Sequence, residues 1–262
     1  MLVHSVLTAV SLVAPPHVID APGKGVRIEA LTKQFSGGKL YVSESQVGSI
    51  AFGRDNLEMT RTLRYGPAFH DFLREHGEPV DQVDMAEWET PQRWIRLGRW
   101  TYVSGNLFGG LPEGRSWVKL KDWEGPSFWS GTADVLAPAT LKTLLADATS
   151  RRGRVIRGST PYRSLAAVSP SFRRYFEDLP SMAPHLRLTW ALQLDSKGVI
   201  ERFTSTAPLN RNEFIRADLT FSGWGSRAAI VAPPADQVID ERRLDDTLPG
   251  DPILRDRPVI SK

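Results

Sequence analysis

The sequence predicts an α+β protein in which a large antiparallel sheet wraps two or more helices. Three observations carry this. Apolar and polar residues alternate with period two in one segment after another, glycine-bearing turns join those segments, and a single uninterrupted helical stripe lies at 138–148. The alternation is clearest at 186–194, where Leu186, Leu188, Trp190, Leu192 and Leu194 are separated by Arg187, Thr189, Ala191 and Gln193.

Taken in order, residues 1–24 read as an N-terminal segment separate from the domain. Met1–Ala14 has the length of a secretory apolar stretch without a basic leader or a small-residue cleavage site, so it is either a degenerate export signal or a first strand or helix. It is too short to span a bilayer. From Gly25 the chain alternates loosely through Val26, Ile28, Ala30 and Leu31, turns at Gly37-Gly38, and continues as strands over 40–52 and 57–65. Phe69, Phe72 and Leu73 have helical spacing and predict a short helix at 67–74. The acidic residues from Glu75 to Glu89 read as a solvated loop, because they lack the spacing that wraps calcium. A hairpin over Gly98-Arg99 and a strand at 116–120 follow.

Six of the eight tryptophans fall within 88–129, so these rings either form the core and rim of a wide curved sheet or line a ligand cavity. Pro138–Ala148 is the strongest helix, with Pro138 in its first turn and Leu141, Leu144 and Leu145 forming a stripe. Residues 151–160 and 162–168 are expected as neighbouring strands, and Ser169-Pro170-Ser171 should cap a second helix at 172–179. A four-strand meander closes the chain: 186–194, 199–206, a strand with Ile215, Ala217, Leu219 and Phe221 inward, and, after a turn at 222–225, a last strand at 228–231. Beyond Pro233-Pro234 the chain reads as an irregular, partly ordered charged tail, with the domain ending near residue 240 and a tail at 241–262.

At 262 residues, with 41% apolar residues, the chain is long enough to bury a full core. Its net charge of +3 and the lack of a basic block interleaved with aromatics argue against a nucleic-acid partner. With no cysteine there is no disulfide, thiolate nucleophile or thioether lipid anchor. Enzyme signatures are sparse. The five histidines form no H-E-x-x-H or i, i+4 pair, Gly114-Arg115-Ser116-Trp117-Val118 lacks the second glycine of a nucleophile elbow, and the 105–110 glycines do not follow the dinucleotide fingerprint. No catalytic residue, metal site or cofactor is expected.

Several stretches together resemble the LppX/LprAFG lipoproteins of actinobacteria, whose fold is LolA-like. They are WIRLGRWTYVSG (94–105), LPEGRSWVKL (111–120), PATLKTLLADA (138–148), the basic strand and turn at 154–162, LTWALQLDSKGVIERFTS (188–205) and FSGWGSRAAIVAPPADQVID (221–240), spread over roughly 25–240. Each is a structural signature. The resemblance implies a half-barrel with helices on its concave face, a hydrophobic cavity for acyl chains, export from the cytoplasm, and a carrier or chaperone role for lipids. The sequence departs from the family in having no lipobox cysteine, so membrane anchoring does not carry over, although membrane contact fits the family's role.

Two functional classes follow. One is a non-catalytic carrier of an apolar small molecule or lipid, its cavity lined by Leu141, Leu144, Leu145, Leu188, Trp190, Leu192, Leu219 and Phe221, with no charged residue in phase with the strand positions and a lipid head at the rim near Arg151, Arg152 and Arg154. The other is an enzyme of a lipid or natural-product pathway using the same cavity. A structural interaction module with a filled core is a third. A carrier wall should be nearly all apolar, whereas an enzyme should bury converging polar groups of perturbed pKa.

Overall fold

The computed structural model describes residues 24–53, 56–77, 85–108, 111–123, 125, 127–176 and 185–244. The N-terminal segment up to residue 23, the acidic residues Glu78, Asp81 and Asp84, the expected helix end at 177–179 and the tail from 245 lie outside the described residues.

One large curved sheet of twelve strands organises the molecule. The strands β1 (Lys24–Ser36), β2 (Lys39–Ala51), β3 (Asn56–Tyr65), β4 (Gln92–Leu97), β5 (Trp100–Ser104) and β6 (Trp117–Lys121) form one antiparallel meander. A second meander comprises β7 (Ala148–Arg152), β8 (Val155–Pro161), β9 (Arg187–Leu194), β10 (Ile200–Pro208) and β11 (Glu213–Arg227). The two are joined where β11 pairs with β1, from Lys24↔Arg227 to Ser36↔Glu213. The first of the described strands therefore lies mid-sheet.

The meanders form as the alternation predicts. In β1, Val26, Ile28, Ala30, Thr32 and Gln34 are buried, while Leu31, expected to face inward, is exposed: its neighbours fix the period, and a residue one step out of phase must point the other way. In β9, Leu188, Trp190, Leu192 and Leu194 are all buried. The turn from β9 to β10 follows its residue types, since the Asp195 carboxylate accepts from the Lys197 and Val199 N–H groups and Gly198 has φ +81°.

Among the described residues the helices are α1 (Pro67–Glu75), α2 (Met85–Trp88), α3 (Pro138–Ala146), α4 (Tyr162–Val168) and α5 (Pro170–Tyr175). Helices α3, α4 and α5 cover the concave face over β8, and α1 covers the β2 end through Tyr41, Phe69 and Leu73. The helix expected at 138–148 stops at Ala146, and the chain enters β7 at Ala148.

Three expectations are corrected. Residues 162–168 are helical: Pro161 ends the ladder, and the buried positions Tyr162, Leu165, Ser169, Phe172 and Phe176 recur at spacings of three and four through α4 and α5. The glycines at 223 and 225 do not reverse the chain. They take φ of +63° and +73° within a continuous β11, and the pairing runs from Gly25↔Ser226 to Arg27↔Ser222, so the extra residues bulge out and the expected strand at 228–231 is absent. That segment instead crosses the outer face, burying Ile230 beside Ile95 and Trp117. Finally, the segment expected to be irregular carries regular structure up to Leu244, with 3-10 turns at Ala235–Gln237 and Glu241–Arg243 flanking β12 (Val238–Asp240), which pairs in parallel with β6.

Candidate functional site

The concave face has an apolar floor on β8–β11. Cross-strand partners place Leu192 between Ile156 and Phe203, and Phe203 opposite Leu219, so side chains from four adjacent strands form one contiguous surface. Trp190 lies over Gly158, where an added Cβ would come within 2.2 Å of the indole, and its Nε1 donates to Thr160 Oγ1 at 3.1 Å. Phe221 packs against Trp129 and Trp224, and the Trp224 indole donates to the Ile200 carbonyl at 2.8 Å.

Above the floor lie two covers. Helix α3 contributes Leu144 and Leu145, both buried, and Thr140 beside them, while Leu141 is half-buried at the margin of the same cluster. Helices α4 and α5 are pinned by Tyr162, whose hydroxyl donates to the Pro208 carbonyl at 2.8 Å while its ring meets Phe172 and Phe176; burial pushes its phenol well above the usual range. The second cover is a strap, 127–137, which runs across the sheet before α3 and buries Phe128, Trp129, Ala133 and Val135. Gln46 Nε2 donates to the Ser127 carbonyl at 3.1 Å, Thr32 Oγ1 to the Ser130 carbonyl at 3.4 Å, and Thr132 and Ser205 share a hydroxyl hydrogen bond of 2.6 Å. Asp134 turns the strap into α3 by accepting from the Leu136 and Ala137 N–H groups, and burial pushes its carboxyl up to about 6.

Leu144, Leu145, Leu188, Trp190, Leu192, Leu219 and Phe221 thus meet in one buried cluster, with Leu141 at its edge. The strap was missed. Its residues lack a helical or strand period, and the sequence signals were two apolar pairs, Phe128-Trp129 and Val135-Leu136, separated by small and polar residues.

The expected absence of in-phase charge does not hold. Glu213 is in phase with Leu219 and Phe221 and is buried, held by Ser36 Oγ at 3.1 Å and Asn210 Nδ2 at 2.8 Å. On the β2–β4 side the concave face turns polar. Glu44 and Arg61 form a bidentate pair at 2.9 and 3.1 Å, nearly enclosed, flanked by Gln46 and Gln92. Gln92 Oε1, Trp94 Nε1 and Tyr41 Oη are buried without a hydrogen-bond partner among the described residues. Tyr41 is pushed up to about 12, first by burial and then by Tyr65 and Glu213 nearby.

Among the described residues no group of three His, Asp or Glu side chains is placed to hold a metal ion, and no helix is long and apolar enough to cross a membrane. No protein-family model matches the chain, and no curated protein matches it. Arg151, Arg152 and Arg154 are exposed on the β7–β8 hairpin, at the sheet's edge.

Proposed function

We propose that the chain binds and carries an apolar ligand, a lipid or acylated molecule, without catalysis, between the β8–β11 floor and α3. One observation carries the reading: the apolar floor of the sheet is covered by short helices rather than by a second sheet, and α3 makes its main element contacts with α4 and β8. A cover held by so few elements can be displaced at lower cost than a sheet whose backbone is paired along its length. The resemblance to the LppX/LprAFG lipoproteins supports the same role and an extracytoplasmic setting, with contact at a membrane as the source or destination of the cargo. Acyl chains would replace Leu144 and Leu145 over Leu188, Leu192 and Leu219, and the head would stay outside, since an unpaired charge on that floor is strongly disfavoured.

Displacement of a fluorescent fatty acid, together with native mass spectrometry of protein from its own host, tests this. Micromolar or tighter binding is expected, with loss in the Leu144→Asp, Leu145→Asp double variant while the strand signal in circular dichroism persists. If the wild type yields no displaceable ligand and no co-purified lipid, the carrier reading fails. A structural module with a filled core is then left, the reading that the close burial of Leu144, Leu188 and Phe203 favours.

A further inference from the structure

The outer face of the sheet carries a second feature, independent of the concave side. A groove of about 520 Å³ crosses β1, β11, β10, β9 and β8, walled by Leu31 and Phe35 at one end and Arg157 at the other. Its floor holds a like-charge pair: Lys33 and Arg216 are direct cross-strand partners on the exposed side of β1 and β11. Two cations so placed repel each other and weaken the strand pairing. Among the described residues neither they nor Arg157 has an acidic partner in an ion pair. The carboxylate in the groove, Asp218, is committed to Arg202 in a bidentate pair.

Arg216 is held in place. Phe35 and Phe214 stack with centroids 4.8 Å apart, and the Arg216 guanidinium lies over both rings, at 5.4 and 4.9 Å. From this pair the row continues across the sheet as Thr206 and then Thr189, with Thr204 beside them on β10. Arg157 stands three strands from Arg216, about 14 Å across the sheet. The groove therefore offers a cationic pair in which Arg216 is held, a hydroxylated middle, a third cation at the far end and an aromatic wall.

The geometry points to a binding site for an acidic oligosaccharide. Carboxylate or sulfate groups at two points along the ligand would meet Lys33–Arg216 and Arg157, its hydroxyls would pair with Thr204, Thr206 and Thr189, and a C–H face of a sugar ring would lie on Phe35. A single small anion would engage only one end, and a flat membrane surface would not enter the groove.

Calorimetric titration of the full chain with a galacturonate tetrasaccharide, a neutral maltotetraose, inorganic phosphate and phosphatidylglycerol vesicles tests the proposal. Binding of the acidic tetrasaccharide alone is expected, weakened at least tenfold by Arg216→Ala and by Arg157→Ala. Lys33→Thr should also weaken binding while raising the melting temperature of the free protein, because it relieves the like-charge pair. A residue kept only for folding would lower it. Equal binding of the neutral sugar, phosphate binding as tight as that of the tetrasaccharide, binding to vesicles only, unchanged affinity in the arginine variants, or no binding of any probe would each overturn the proposal.

Discussion

Trp190 is where burial, hydrogen bonding and close approach converge on one side chain. Its ring rests on Gly158, its N–H is satisfied by Thr160, and its cross-strand partner on β10 is Ser205, which seats the strap. Trp190→Ala should cost about 3 to 5 kcal/mol through the cavity left behind, read as a shift in the denaturant midpoint at constant m-value. An unchanged midpoint would mean that the indole is not packed as described. Asp134 acts through charge. Its folded-state pKa is raised from 3.8 to about 6, so its contribution to stability is complete below about pH 3.8 and is lost as the pH rises through about 6. Asp134→Asn keeps an acceptor for the Leu136 and Ala137 N–H groups without the charge. The variant should match the wild type near pH 4 and exceed it by no more than about 3 kcal/mol at pH 7, measured by urea unfolding across that range. A constant difference at every pH would exclude titration of Asp134 as the cause.

Among the elements, β12 depends on contacts outside its own ladder. It has three residues, and Arg115 holds the segment before and within it by donating to the Asp236 and Val238 carbonyls at 2.7 and 3.1 Å, with a longer bond to Ala235 at 3.4 Å. The Ser116 N–H adds a bond to the Gln237 carbonyl, and Glu241 accepts from the Lys121 N–H. The conspicuous APPADQVID stretch is therefore an edge cover for β6. Arg115→Ala should lower stability by about 1 to 2 kcal/mol and expose the β6 edge, seen as concentration-dependent association in sedimentation velocity. A monomeric variant of unchanged stability would show that the edge is covered without Arg115. Helices α4 and α5 teach the complementary lesson, because their buried positions from Tyr162 to Phe176 keep one helical period across the Ser169-Pro170 break. Ser169 caps α5 by accepting from the Phe172 N–H, so the break redirects the chain without rotating the buried face.

For the whole molecule, the pairing of β1 with β11 makes one sheet from two meanders whose own connections are mostly local. Partners such as Ile28 and Phe221 are far apart in sequence, so forming this seam carries a large loop-closure entropy, which slows folding. It also couples the halves. Six tryptophans lie within 88–129, ahead of the second meander, whereas strands are spread over both, so unfolding followed by tryptophan fluorescence and by far-ultraviolet circular dichroism should coincide in one transition. Separated transitions would show that the seam does not bind the halves into one cooperative unit.

The strand period by itself determined the faces of β9, of β11 up to Phe221 and, Leu31 apart, of β1, and with the residue types it determined the turn at Gly37-Gly38 and the set of leucines and aromatics that meets beneath α3. These are local properties, decided by side-chain alternation and by which residues tolerate positive φ. The sequence also contained the three-four spacing of α4 and α5, but over 162–168 alone too few turns were present to separate a helix from a short buried strand. Only the tertiary structure decided the rest. Whether Gly223 and Gly225 turn the chain or bulge it depends on β1 lying alongside to continue the ladder. Glu213 can be buried because Ser36 and Asn210 reach it, and the strap has a place because Thr32, Gln46 and Ser205, distant in sequence, present hydrogen-bonding groups along one concave face. Polar groups are buried where partners arrive from elsewhere in the fold, and a linear pattern does not record those arrivals.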